Sequence, residues 1–220
     1  MLKVKVSHTI IENPTLTNKA FYLYTYLRYH AKNKDAVFIY ADELRRTIKW
    51  KKNDTIKKYL QELRNSNNKY IYYELPINDN GNEVMPKAQP IKIDFLQDYI
   101  SPKYEMVDEN ILFKIQEISQ LTEIKTKIDD EWVIKHVWDE KELATRIYYF
   151  HEKNYNKKDK YTLGASYEDI IQTVSCNNQL FNSINNMFEE NNLITKIVSD
   201  KIENTNYRLK NKYIPINKTP

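Results

Sequence analysis

The chain has 220 residues, 41% of them hydrophobic, enough for one large domain or two small ones with real cores, and this excludes wholesale disorder. Two glycines, Gly81 and Gly164, cannot furnish a glycine-rich phosphate loop, and the single Cys176 builds neither a disulfide nor a cysteine zinc site. The formal net charge is +4, unevenly spread: residues 1–100 carry 17 Lys/Arg against 11 Asp/Glu, residues 101–150 carry 7 against 11, and residues 151–220 carry 10 against 8, so the first hundred residues are the best anion-facing surface and the middle the poorest.

Residues 17–31 put Ala20, Leu23, Tyr24, Leu27 and Ala31 on one helical stripe, with Thr17 as the cap. Tyr22, Tyr24, Tyr26 and Tyr29 spread round that helix, so they read as packing residues and not as a base-stacking platform; any left exposed could serve dimerisation. A polar turn at 33–35 leads to a short strand at 37–39. A second helix follows at 41–48, with Leu44 and Ile48 inward and Tyr40 where a Ser or Thr would cap it. Lys49 to Asn53 make a turn. Asp54 to Arg64 form a third helix with Ile56, Leu60 and Leu63 inward. Residues 70–77 and 91–95 read as strands, joined by a long, mobile loop around the Asp79-Asn80-Gly81 turn.

Residues 108–121 place Ile111, Leu112, Ile115 and Ile118 at helical spacing, which predicts a linking helix. An acidic turn at Asp129, Asp130 and Glu131 precedes a short apolar clip, Trp132 to Ile134. The earlier pattern then restarts. Asp139 and Glu142 suggest a capping box, and Leu143, Ile147 and Phe150 a new first helix. Residues 161–163 are a strand. Ser166 caps a helix holding Ile170 and Val174, and residues 177–190 form a further helix with Leu180, Ile184 and Met187 inward. Strands at 193–198 and 206–214 close the pattern. Residues 36–75 and 160–198 thus repeat one order of elements. Pairing Leu44 with Ile170 and Ile56 with Leu180 makes the second turn two residues shorter, and neither turn has a glycine, Lys49 and Ser175 standing near that place.

In this order of elements the chain resembles the winged helix-turn-helix family, in the style of replication and regulatory proteins of Gram-positive plasmids and phages. The residues that carry the resemblance are Leu16-Thr17, Ala20, Tyr22 and Leu27, then Glu43-Leu44, then Ile56, Leu60 and Leu63, then Ile71. In the second copy they are Glu168-Asp169-Ile170, Leu180, Ile184 and Asn192-Leu193-Ile194. The resemblance implies an α+β fold. It divides the chain into a first winged helix over 1–98, a helical acidic linker over 99–136 and a second winged helix over 137–220.

The resemblance also implies that each third helix reads base edges with its N-terminal residues while neighbouring lysines hold phosphates. In the first copy, Asn53, Thr55 and Lys58 are expected at bases and Lys51, Lys52 and Lys57 at phosphates, with Lys49 beside them. In the second copy the same face holds neutral amides, Asn177, Asn178, Gln179, Asn182 and Asn185, suited to adenine. Lys196, Lys201, Arg208, Lys210 and Lys212 would supply phosphate contacts from its wing.

No catalytic constellation emerges. His8, His30, His136 and His151 are scattered without metal-ligand spacing, and no cofactor is expected. The expected partner is double-stranded DNA, with a homodimer and a replication or regulatory protein left open. No membrane association is expected. The N-terminus lacks a charged start followed by an apolar core, so a cytoplasmic location is expected. A plasmid or phage replication initiator leads, with a transcriptional repressor or a winged-helix protein adaptor as alternatives.

Overall fold

The structure, a computed structural model, describes residues 2–96, 103–119, 122–128, 131–138, 140–156, 161–162, 167–197 and 212–218. The chain divides into two compact units, Met1–Glu109 and Asn110–Pro220. Both are α+β, with small sheets that are antiparallel throughout. No helix among the described residues is long and apolar enough to cross a membrane.

The first unit opens with β1 (Lys3–Ser7), whose Lys-Val-Lys-Val alternation has the period of a strand, and a single helical turn, α1 (His8–Ile11); neither was among the expected elements. α2 (Asn18–His30) follows, with the Thr17 hydroxyl accepting the Ala20 N–H at 3.2 Å as the expected cap. Every residue from Ala20 to Arg28 is buried, so α2 is a core helix and not the one-striped surface helix its spacing suggested. Tyr22, Tyr24 and Tyr26 are fully buried and Tyr29 is half-buried, which removes the first three as a dimer surface. The buried Arg28 guanidinium donates to the Lys5, Asn33 and Lys34 carbonyls and lies 4.5 Å from the Phe95 ring, so its donors and its flat face both find partners in the interior.

Next come β2 (Ala36–Ile39), α3 (Ala41–Thr47), α4 (Asn53–Asn65), β3 (Ile71–Tyr73) and β4 (Ile91–Phe95). The sheet order is β2-β4-β3, with Val37 opposite Ile93 and Tyr73 opposite the same Ile93. Along each strand the residues alternate between buried and outward-facing, as period-2 geometry requires. α4 buries Ile56, Tyr59, Leu60 and Leu63, each worth about 1.5–3 kcal/mol if fully removed from water. Its Glu62 accepts both the backbone N–H and the hydroxyl of Thr17, which fixes the start of α2 against α4.

β5 (Tyr104–Asp108) pairs with β1, and α5 (Glu109–Ile118) follows where the linking helix was expected. Most of the other described residues of the expected helical linker form strands. β6 (Thr122–Ile128) and β7 (Glu131–Trp138) form an antiparallel ribbon with a register shift at Ile124/Lys125, and the supposed clip Trp132–Ile134 lies inside β7. The alternation of Thr and Ile with Glu and Lys along 122–128 has period 2, which suits a strand and no helix.

α6 (Lys141–Asn154) is buried from Lys141 through Glu152. Its N-cap is Glu140, with no side-chain cap hydrogen bond, in place of the expected Asp139 box; Asp139 itself lies outside the described residues. β8 (Tyr155–Asn156) pairs with β9 (Tyr161–Thr162); then come α7 (Tyr167–Val174), α8 (Asn178–Glu190), β10 (Ile194–Ile197), β11 (Lys212–Pro215) and a closing 3-10 turn. The expected Ser166 cap lies outside the described residues. β10 pairs with β11 antiparallel, as β3 does with β4, and β9 lies close to β11 while pairing with β8.

Candidate nucleic-acid interface

The two helix pairs turn through matching backbone. After α3 the Lys49 N–H donates to the Arg46 carbonyl and the Trp50 N–H to that of Arg45. After α7 the Ser175 N–H donates to Gln172 and the Cys176 N–H to Ile171. Lys49 and Ser175 both occupy the left-handed region, at φ 55° and 53°. This is the place a glycine would take without strain. Trp50, 8% exposed, closes the first turn from beneath, its ring 5.4 Å from Tyr59 and 6.3 Å from Tyr22.

Burial along the second pair corrects the expected alignment. In α8 the buried residues are Phe181, Ile184, Asn185, Met187 and Phe188, while Leu180 is half-exposed. Ile56 therefore corresponds to Phe181, and the second turn is one residue shorter, not two. Leu180 was misplaced because the stretch from Leu180 to Phe188 is apolar at two adjacent helical phases.

In the first unit, the predicted residues converge on the turn and the first half of α4. Lys49, Lys51, Lys52 and Lys58 are exposed, and Lys58 stands 5.3 Å from the Tyr59 ring. Thr55 is half-buried. Asn53 is held: its amide donates to the Asp42 carboxylate at 3.1 Å. That bond, reinforced by Arg45 at 3.5 Å, keeps the Asp42 carboxyl below the usual carboxylate range. Asn53 thus ties the start of α4 to the start of α3, which reduces its freedom to reach a base. The open feature is a ring of lysines around the N-terminus of α4, where the backbone N–H groups and the helix dipole also favour an anion. Asp54 sits exposed within it as the counter-charge.

Lys57 does not join this ring. Its Nζ donates to the backbone carbonyl of Glu83, in the loop between β3 and β4. That loop is closed on itself by its own hydrogen bonds. Ile77 and Glu83 form a bridge, the Val84 N–H donates to the Pro76 carbonyl, and the Asn78 side chain accepts the N–H groups of Asn80 and Asn82. The Glu83 carboxylate takes both Arg64 guanidinium nitrogens, at 2.7 and 3.0 Å, and the Gln61 amide at 3.2 Å. Spacing alone puts Lys57, Gln61 and Arg64 on one face of α4. What the sequence could not show is that a residue about twenty positions on comes back to cover that face.

In the second unit, Asn177 is exposed and caps α8, its side chain accepting the Leu180 N–H at 2.8 Å. Asn178, Gln179 and Asn182 are exposed. Asn186, not singled out from sequence, continues the Asn178–Asn182 stripe by a further turn and accepts Lys196 Nζ at 3.0 Å. Asn185 is fully buried, bonded to His151 Nε2 at 2.6 Å and to the Phe181 carbonyl at 2.9 Å, so it cannot meet a base. Burial holds the His151 imidazole down at about 4, against the opposing hydrogen bond to Asn185. Lys212 is half-buried at the start of β11, and Lys201, Arg208 and Lys210 lie outside the described residues. Cys176 is half-buried, and burial, with Glu140 nearby, pushes its thiol up to about 11. Among the described residues no group of three His, Cys, Asp or Glu could hold a metal ion. No protein-family model and no curated protein matches the chain.

Proposed function

We propose that both units are winged helices and that the chain is a sequence-specific, double-stranded DNA-binding protein. α4 enters the major groove, and Lys49, Lys51, Lys52 and Lys58 hold the flanking phosphates. One observation carries this reading: the exposed lysines gather at the N-terminus of a helix whose remaining faces are buried or covered. Thr55, which no side-chain bond ties to α3, is the base reader on this face, and Asn53 is held by Asp42.

α8 contributes differently. It contains no Lys or Arg, so it reads adenine edges through Asn178, Gln179 and Asn182 and adds little salt-dependent affinity. That same lack of charge favours a second reading of this unit alone, as a contact surface for a replication or regulatory protein. Two units of unequal charge suit a plasmid or phage replication initiator working in the cytoplasm better than a symmetric repressor, which reads two equal half-sites through a homodimer.

Selection of bound duplexes from a random pool tests this. Direct repeats are the expected result. A single palindrome favours the repressor, and an unenriched pool contradicts the DNA reading in favour of an adaptor.

A further inference from the structure

The face of α4 formed by Lys57, Gln61 and Arg64 is held by one residue of the β3–β4 loop. Glu83 meets all three: its carbonyl takes Lys57, and its carboxylate takes Gln61 and, in a forked pair, Arg64. The Arg64–Glu83 side chains are only 24% and 27% exposed. From the other side, the Tyr73 ring of β3 lies 4.6 Å from the Arg64 guanidinium. Between Pro76 and Pro90 the loop carries Asp79 and Glu83 against a single Lys87, so this wing has no surplus of positive charge to bring to a phosphate. Its hairpin is instead built to present Glu83: Gly81 takes φ 76° and Asn78 clamps the turn from within. The Arg64 pair also keeps the Glu83 carboxyl below the ordinary range, so the clamp stays charged at neutral pH.

Resting on the DNA-binding reading above, we propose that Glu83 is a specificity-setting positioning residue, which latches the wing to α4 and withholds Lys57 and Arg64 from phosphates. Affinity that does not depend on sequence comes almost wholly from phosphate contacts. Withholding two cations next to the reading face lowers binding to random duplex while leaving base contacts intact, and it confines phosphate contact to Lys49, Lys51, Lys52 and Lys58. The latch is thus negative selection against wrong DNA, built from a carboxylate inside the protein.

The test is anisotropy titration of the full chain against a selected duplex and a random duplex over a range of KCl. For Glu83→Gln the slope of log K on log salt steepens by about one, since the freed Arg64 adds one phosphate contact worth about 0.9, while Lys57 stays on the backbone carbonyl that the substitution leaves in place. Affinity for the random duplex rises, and the ratio of selected to random binding falls. Glu83→Asp keeps the wild-type slope. Adding Arg64→Met to Glu83→Gln brings the slope back towards wild type, a reversal that mere loosening of the fold does not produce. Arg64→Met alone gives a reading that does not depend on how well Glu83→Gln folds. An unchanged slope supports the latch, and a slope shallower by about one shows that Arg64 already holds phosphate and overturns it. An unchanged slope in folded Glu83→Gln overturns the latch alone. Failure of the wild type to bind either duplex overturns the DNA reading and the latch together.

Discussion

Ser175 and Lys49 bend the two turns in the left-handed region, where a side chain crowds the following carbonyl at a cost of about 1–2 kcal/mol. Glycine removes that cost but adds freedom to the unfolded chain, offsetting about 0.4–1 kcal/mol of it. Ser175→Gly, which leaves charge unchanged, is therefore expected to raise unfolding free energy by up to about 1.5 kcal/mol in urea melts; a loss of stability contradicts strain at this position. The sequence marked both residues by position, between two apolar periodicities, although the usual glycine was missing. It gave no sign of the role of His151. That residue sits at the place of Leu27 when Ala20 and Tyr24 are set over Ala144 and Tyr148, and its partner Asn185 sits at the place of Leu60. With a folded pKa of about 4 against about 6.5 unfolded, the neutral imidazole contributes stability above pH 6.5 that is lost as pH falls through 6.5 towards 4. The loss at pH 5 is about 2 kcal/mol relative to pH 7.5. The paired replacement His151→Leu with Asn185→Leu, which rebuilds the apolar pair of the first unit, is expected to remove that portion of the acid dependence in denaturant melts at the two pH values. Parallel pH profiles for the two proteins contradict a buried neutral histidine.

At the scale of elements, helices with a strong apolar stripe were legible. α3, α4 and α5 lie within a residue or a few of their expected ends, and Ile56, Leu60 and Leu63 are the buried positions foreseen for α4. Strand β4 spans the residues foreseen for it. Elements that depend on distant partners were not legible. β1 carries a local Lys-Val-Lys-Val alternation, but its partner β5 lies a hundred residues later, and no local pattern records which strand it pairs with. β6 did carry a period-2 alternation, but it stood between an expected linking helix and an expected acidic turn at Asp129, Asp130 and Glu131, the last of which begins β7. Of the candidate interface, the lysine ring at the start of α4 was legible because charge and helix phase are both local. The removal of Asn53 by Asp42 and of Lys57 by Glu83 was not, since both depend on contacts made only when the chain is folded.

Across the whole molecule, two compact units repeat an order of helices and strands while differing in what they expose. The first presents Lys49, Lys51, Lys52 and Lys58 around one helix end, and the second presents Asn178, Gln179, Asn182 and Asn186 along one helix face. The repeat belongs to the backbone and the inequality to the side chains, so the chemistry divides between charge in one unit and amide hydrogen bonding in the other. If this division holds, DNA affinity depends on the first unit and falls steeply with salt. The most direct measurement is the affinity of the wild type and of the Lys51→Ala, Lys52→Ala double variant for a selected duplex across a salt series. Neither side chain takes part in a hydrogen bond or ion pair among the described residues, so the thermal melt is expected to be unchanged. The expected result is a salt slope shallower by about two and binding reduced by at least tenfold at low salt, down to no detectable binding at about 0.15 M. Undiminished binding with an unaltered slope contradicts it.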